Sequence, residues 1–202
     1  MSDLVDVTLH VDAIDTQLGG IGRYAWELAQ RLPGQPGISS VQYVVRNRLI
    51  DDPERLLRGE IFFPGRGLVR AHRTWRARRA LRSTIVHGPN YFLPPGTRTG
   101  VITVHDLSVF RFPETHPAAR VRQFERSFSA SLDRAAHVIT DTETVRSELM
   151  EMFAVPKEKV TAVALGVSEH FRPIPCAELA ESLRSLSLGA GRYALSISTL
   201  EP

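Results

Sequence analysis

Apolar positions along the chain switch repeatedly between two spacings. Residues 5–11 read as a first strand. Ile21, Ala25, Leu28 and Leu32 then fall on one helical face, and Pro33-Gly34 ends that helix. Residues 41–45 are a β-branched second strand. Residues 71–81 read as helical with a poorly defined apolar face, and 84–86 as a short strand. Residues 101–104 form a continuous run of the kind expected for a strand buried on both faces. Val121, Phe124, Phe128 and Leu132 make a helical stripe, and 137–140 a strand. Val145, Leu149, Met152 and Phe153 share another helical face, with Thr140 and Glu143 spaced as a capping box. Residues 160–163 close the series. This alternation predicts an α/β fold: a Rossmann-like parallel sheet with helices on both faces.

The pattern changes after residue 173. Two prolines in 172–175 read as a linker, 177–186 as a helix, and 193–198 as a fresh apolar strand close to Pro202. The expected division is a domain over 1–173, followed at 174–202 by a linker and the first strand of a second, truncated domain. The chain thus reads as the front of a longer two-domain protein.

Composition narrows the class. The 202 residues are 43% hydrophobic and carry 25 Lys+Arg against 22 Asp+Glu. That balance is ordinary for a globular domain and excludes collagen, coiled coil and disorder. No stretch approaches the roughly 18 apolar residues of a membrane helix, and the N-terminus lacks the pattern of a secretory signal. Cys176 is alone, so neither a disulfide nor a cysteine-zinc cluster is expected within the chain. A cytoplasmic protein is the expectation. The charge is uneven, however. No acidic residue lies between Glu60 and Asp106, a stretch holding Arg66, Arg70, Arg73, Arg76, Arg78, Arg79, Arg82 and Arg98. Such a zone suits an anionic membrane or a phosphorylated substrate, or is simply a solvated helix. On a helical wheel its arginines scatter rather than form one stripe. No zinc-finger or aromatic-rich RNA-binding motif accompanies it, so nucleic acid is not expected.

Four segments can carry chemistry. Gly19-Gly20-Ile21-Gly22-Arg23-Tyr24 opens a helix, where bare backbone N–H groups and the positive dipole end favour an anion. It also serves as a plain turn. Its Gly20-x-Gly22-x-x-Ala25 spacing fits the loose dinucleotide fingerprint, although about six residues separate it from the strand that this fingerprint should follow directly. His105-Asp106 directly follows residues 101–104, at the strand end where open α/β sheets bind ligands. His105 can bond substrate or move a proton, and Asp106 can orient it or bind a hydroxyl; a structural cap is the plainer role. His87 holds the same place after an earlier strand, followed by Gly88-Pro89-Asn90-Tyr91-Phe92-Leu93-Pro94-Pro95, where Asn90 and Tyr91 can meet sugar or phosphate. Thr140-Asp141-Thr142-Glu143 caps a helix whose N-terminus can face the same cleft. The His spacings suggest no metal site.

In this order the segments resemble the N-terminal half of a family 4 retaining glycosyltransferase of the GT-B fold, most closely its bacterial mannosyl- and rhamnosyltransferase branch. The matching pieces are Val11-Asp12-Ala13 and GGIGRY, then HGPNYFLPP, VHDLSVFRFPE, ITDTETVRSEL, VPKEKVTAVALGVSEHFRP and ALSISTLEP, spanning nearly the whole chain. The resemblance implies two Rossmann-like domains across a cleft, the first binding mainly acceptor and the second the nucleotide-sugar. It implies hexose transfer from a donor such as GDP-mannose to a glycan or polyprenyl-diphosphate-linked acceptor, without a metal or other cofactor. His105 would contact the transferred sugar, as the catalytic-site histidine. Gly19, Gly20 and Gly22 would approach donor phosphate or sugar, with Arg23, Asn90 and Asp106 as further cleft residues. The donor-binding residues of the family lie beyond Pro202, so this half by itself is expected to be inactive. Peripheral contact with the inner membrane face is a further expectation. Two other classes remain open at this level: a non-catalytic glycan-binding module, and an NADP-binding oxidoreductase domain using Arg46 and Arg48 after the second strand.

Overall fold

The computed structural model describes residues 4–60, 68–189 and 191–195. In chain order the elements are β1 (Val5–His10), α1 (Gly20–Arg31), β2 (Ile38–Val45), β3 (Arg48–Ile50), α2 (Glu54–Leu57), α3 (Leu68–Ser83), β4 (Ile85–Gly88) and β5 (Gly100–Val104). Then follow α4 (Ser108–Arg111), α5 (Ala118–Arg134), β6 (Ala135–Thr140), α6 (Glu143–Phe153), β7 (Val160–Ala162) and α7 (Cys176–Ser185). The seven strands form one sheet in the order β3-β2-β1-β4-β5-β6-β7, parallel except for the β2–β3 hairpin. The expected Rossmann-like α/β architecture is therefore present.

Strand order reverses between β1 and β4, and the reversal decides which helices cover which face. Right-handed crossovers running outward from β1 and inward to β4 must pass over opposite faces. The core accordingly splits in two. Leu9, Val11, Val45 and Leu56 pack with Ala25 and Ala29 of α1 on one face. Val44, Val86, Ile102, Val104 and Val138 pack on the other face with Ala77 and Leu81 of α3, Phe124 and Phe128 of α5, and Leu149 of α6. Val44 and Val45 are neighbours in sequence yet enter different cores, because successive strand side chains point to opposite faces.

Most of the expected elements are present, and the differences have local causes. The α6 cap is Thr142, whose hydroxyl accepts the Val145 amide, and not Thr140, whose hydroxyl donates to the Thr142 carbonyl. Glu143 pairs with Arg146 instead of completing a capping box. Met152 is exposed, while Leu149 of the same helix is fully buried. The strand β3 has no counterpart in the sequence reading. Its turn uses Arg46 (φ 46°) and Asn47 (φ 59°), a left-handed pair that usually contains glycine. Arg46 and Arg48 thus belong to a tight edge hairpin rather than to a cofactor-facing loop.

Two compact units are separable, Met1–Ala164 and Leu165–Pro202. In the second, residues 172–175 are irregular and α7 follows. The expected strand at 193–198 is irregular over 193–195, and its remainder lies outside the described residues. Arg66 and the side chains of Arg70 and Arg73 also lie outside them. Among the described residues no helix is long and apolar enough to cross a membrane.

Candidate functional site

Because β1, β4, β5 and β6 are parallel, the segments after them emerge along one edge of the sheet, at the β1/β4 reversal. Four of the sequence candidates meet there: the glycine-opened α1, Asn90, His105-Asp106 and the Thr140–Asp141 junction.

His105 is the centre of the group. Parallel register sets Val104 beside Thr140, so the next residues, His105 and Asp141, are neighbours. His105 Nδ1 lies 2.7 Å from Asp141 Oδ2, and Nε2 lies 2.8 Å from the Pro89 carbonyl. A carbonyl only accepts, so Nε2 carries a hydrogen and donates to it. When the ring is protonated, Nδ1 donates to the carboxylate as well. Tyr24, one turn into α1, sets its ring edge-on to His105 with centroids 5.0 Å apart, and Tyr91 approaches at 5.7 Å. The glycine-opened helix and the histidine are therefore parts of one assembly. Asp141 Oδ1 is buried and has no hydrogen-bond partner among the described residues.

Below His105 runs a polar chain. Tyr24 Oη lies 3.1 Å from Thr103 Oγ1, which lies 2.9 Å from His87 Nε2. His87 is almost wholly buried and belongs to the floor of the site, not to the cleft lining. Burial, reinforced by the charge of His105, lowers its pKa to about 4. Burial also raises the Tyr24 phenol above its ordinary value, against the hydrogen bond to Thr103.

Asp106 does not orient His105. Its Oδ2 accepts the Tyr91 hydroxyl at 2.9 Å, and its Oδ1 accepts the Ser108 amide at 2.9 Å and hydroxyl at 2.6 Å. Burial pushes its carboxyl up, but the Ser108 and Tyr91 hydrogen bonds and the charge of Arg120 outweigh that, leaving it below its ordinary value. Tyr91 itself is buried in a left-handed conformation, φ 62°, which a side chain adopts only where packing compels it. Burial and the Asp106 charge push its phenol far upward.

The three loop glycines divide by role. A Cβ on Gly22 would lie 2.6 Å from the Ala13 carbonyl, so Gly22 permits α1 to press against the segment after β1. Gly19 and Gly20 have nothing within 4 Å of such a Cβ. No side chain caps the N-terminus of α1, and its first turn carries no acidic residue. Those two glycines thus leave an open, electropositive backbone of the kind an anionic ligand occupies. Arg23 is exposed and leans along the helix toward Glu27, at 3.9 Å, rather than toward His105. Asn90 is half-buried next to Pro89.

Thr103 was not among the sequence candidates, and Tyr24 and Asp141 lay inside candidate segments without a role of their own. For Asp141 a signal existed: it stands one residue past its strand, as His105 does in the adjacent strand. Beside the neighbouring β1, His10 Nε2 lies 3.2 Å from Asp12 Oδ2, and the Arg46 amide donates to Asp12 Oδ1 at 2.7 Å. Burial raises the Asp12 carboxyl, and His10 and the Arg46 amide bring it below its ordinary value. Among the described residues no group of three or more His, Cys, Asp or Glu could hold a metal ion.

Comparison with known proteins gives the chain a family. The chain is 33% identical over 209 aligned positions to an O-antigen chain mannosyltransferase B of Escherichia coli, an alignment covering 95% of this chain and 55% of that relative. The chain thus spans about half the length of the curated relative it matches. The family model described as Glycosyltransferase Family 4 matches residues 18–171. That span holds the opened helix, the His105–Asp141 pair and the Asp106–Tyr91 bracket, and with it the chain belongs to glycosyltransferase family 4.

Proposed function

We propose that this chain is the acceptor-side half of a retaining hexosyltransferase that moves mannose, or a related sugar such as rhamnose, from a nucleotide-sugar to a growing surface glycan. The acceptor is a glycan carried on a polyprenyl diphosphate, which places the protein at the inner face of a membrane. One observation carries the reading: Tyr24 of the glycine-opened helix packs on His105, so an anion-favouring backbone and a hydrogen-bonding imidazole–carboxylate pair form one site at the strand ends. The E. coli relative is named for mannose transfer in O-antigen, which supports the same class.

In this reading the protein contributes position and electrostatics. Gly19 and Gly20 let phosphate or sugar approach the positive end of α1, which meets diphosphate charge without a resident metal. His105, fixed by Asp141 and the Pro89 carbonyl, presents its ring edge to the sugar. The nucleotide-sugar is held mainly by a second domain.

The test separates binding from turnover. The 202-residue chain is titrated with a short polyprenyl-diphosphate-linked mannan and followed by calorimetry. Transfer from GDP-mannose is then measured with a family donor-side half supplied in trans. Saturable binding, with transfer that His105→Ala abolishes and Asp141→Asn lowers, is the expected result. Binding without transfer would favour a glycan-binding module, and absence of both would refute the reading.

A further inference from the structure

Two tyrosines tie the two ends of α1 to different parts of the sheet. Toward the C-terminus of the helix, the Tyr43 hydroxyl of β2 donates to the Ala29 carbonyl at 2.9 Å, and Ala25 and Ala29 pack on Leu9, Val11 and Val45. That end therefore belongs to β1 and β2. Near the N-terminus, Tyr24 reaches the other way, and its Oη lies 3.1 Å from Thr103 Oγ1 of β5. Ile102 and Val104 point into the core beneath α3, α5 and α6, so Thr103 between them points to the α1 face. His87 follows Val86 in the same alternation, and its Nε2 lies 2.9 Å from the Thr103 hydroxyl.

Thr103 and His87 are both buried, in a place where apolar side chains would pack without the desolvation cost of polar ones. A buried polar chain is tolerable when every member has its partner, and it then fixes geometry. Thr103 has one hydroxyl hydrogen for two partners. His87 is neutral above about pH 4, so its Nε2 accepts in one tautomer and donates in the other, and the Tyr24 phenol completes the chain in either case. Both nitrogens of His105 are meanwhile committed to Asp141 and to the Pro89 carbonyl, which follow β6 and β4. No His105 nitrogen therefore ties that ring to α1. Tyr24, edge-on with centroids 5.0 Å apart, is the ring contact between them.

We infer that Tyr24, anchored through the Thr103 hydroxyl to His87, is a positioning residue that fixes the glycine-opened end of α1 against His105. Gly22 already holds the first turn against the Ala13 carbonyl, but that contact joins α1 only to the segment after β1. No side chain caps the end of the helix, so its placement toward β5 comes from Tyr24. A phenylalanine there would keep the ring and lose the hydrogen bond that aims it. The inference deepens the proposed reading and rests on it for the ligand that the geometry serves. The geometry itself can be measured without any ligand.

The experiment uses the isotope-labelled 202-residue chain with Thr103→Val, Thr103→Ser and Tyr24→Phe. Thr103→Val keeps the shape and removes the hydroxyl, whereas Tyr24→Phe removes the phenol and leaves Thr103 with His87. The Gly19 and Gly20 amide resonances and the His105 ring-proton resonances should shift together in Thr103→Val and in Tyr24→Phe. They should return to the parent positions in Thr103→Ser. The Arg23 amide closes the first turn on the Gly19 carbonyl at 2.8 Å. It should exchange with solvent roughly fivefold faster in Thr103→Val and Tyr24→Phe, as expected for the loss of one hydrogen bond, and at the parent rate in Thr103→Ser. Inorganic pyrophosphate titrated into the parent should perturb Gly19 and Gly20, and should bind roughly fivefold or more weakly to Thr103→Val and Tyr24→Phe. Unchanged Gly19 and Gly20 resonances and unchanged Arg23 exchange in Tyr24→Phe would overturn the inference, even where Thr103→Val fails to fold. Changes that Thr103→Ser does not restore would also overturn it, since packing and not the hydroxyl would then be responsible. Coupled shifts in a parent chain that binds no pyrophosphate would uphold the positioning role and remove the anion site from the proposed function.

Discussion

At the scale of single residues, the site rests on groups that have given up contact with water. His87 is the clearest case. In the unfolded chain its imidazole titrates near 6.5, and in the fold near 4, because burial and then His105 oppose its charge. Between those values the unfolded chain binds the extra proton, so stability is complete above about pH 6.5 and falls as the pH drops toward about 4. A shift of that size corresponds to about 3 kcal/mol. His87→Gln retains a side-chain nitrogen to meet Thr103 and removes the titration. Its urea midpoint should change much less between pH 7 and pH 5 than that of the parent chain. Equal pH dependence in the two would show that His87 is not the responsible group.

The same scale shows where sequence reasoning stops. His105 was legible because a polar residue directly after a buried strand stands at the ligand edge of such a sheet. Asp141 was obscured by its neighbours, since Thr140, Thr142 and Glu143 all read as helix-capping residues. Only the β5–β6 register makes it the partner of His105. Asp106, adjacent to His105 in sequence, was the obvious partner on paper. Ser108 two residues on offers both an amide and a hydroxyl to that carboxylate, and this local turn takes Asp106 away from the ring.

At the scale of elements, the glycine loop and α1 form a unit whose three glycines should respond differently to one added methyl. Gly22→Ala presses Cβ to 2.6 Å from backbone oxygen, which a side-chain movement cannot relieve. It should cost about 1–3 kcal/mol, lowering Tm by roughly 2–12 °C in a chain of this size. Gly20→Ala meets open space in the first helical turn and should be neutral or stabilising by up to about 1 kcal/mol. Where ligand phosphate uses that opening, the same Gly20→Ala should weaken binding of the diphosphate-linked acceptor by roughly tenfold or more. Thermal melts and calorimetry on the two variants distinguish packing from contact. Equal melting of both, or an unchanged affinity in Gly20→Ala, would contradict the division. The sequence shows three glycines in four positions without separating these roles, because the separation depends on where the Ala13 carbonyl lies.

Elements were legible wherever apolar spacing was strong, as in α5 with Phe124, Phe128 and Leu132, and weak where packing uses small residues. The α3 face of Ala77, Ala80 and Leu81 carries little hydrophobic contrast against arginines, so its outward side could not be read from the pattern alone. The β2–β3 hairpin was missed for a related reason. Its Arg46-Asn47 turn lacks the glycine that usually announces a left-handed pair, and the Arg46 amide is instead held by Asp12.

At the scale of the whole molecule, the question is where the first folding unit ends. The sequence places the boundary at 173, before the helix now seen as α7, because Pro173 and Pro175 punctuate that stretch. The contact pattern closes the first unit at Ala164, soon after β7. Backbone from 163 to 168 forms no helix or strand, and Val167 and Phe171 are largely exposed. Irregular, exposed backbone is where proteases cut first. Chymotrypsin should therefore cleave after Phe171, which is 79% exposed, well before it reaches Phe128 or Phe153, whose rings pack on Phe110. We place the end of the independently stable unit at 164. A chain shortened to 1–164 should then melt within about 2 °C of the parent, the change expected for losing less than about 1 kcal/mol. A chain ended at 173 should melt with it. If 1–173 keeps the parent midpoint while 1–164 melts far lower, residues 165–173 belong to the first unit and the earlier boundary from sequence is the correct one.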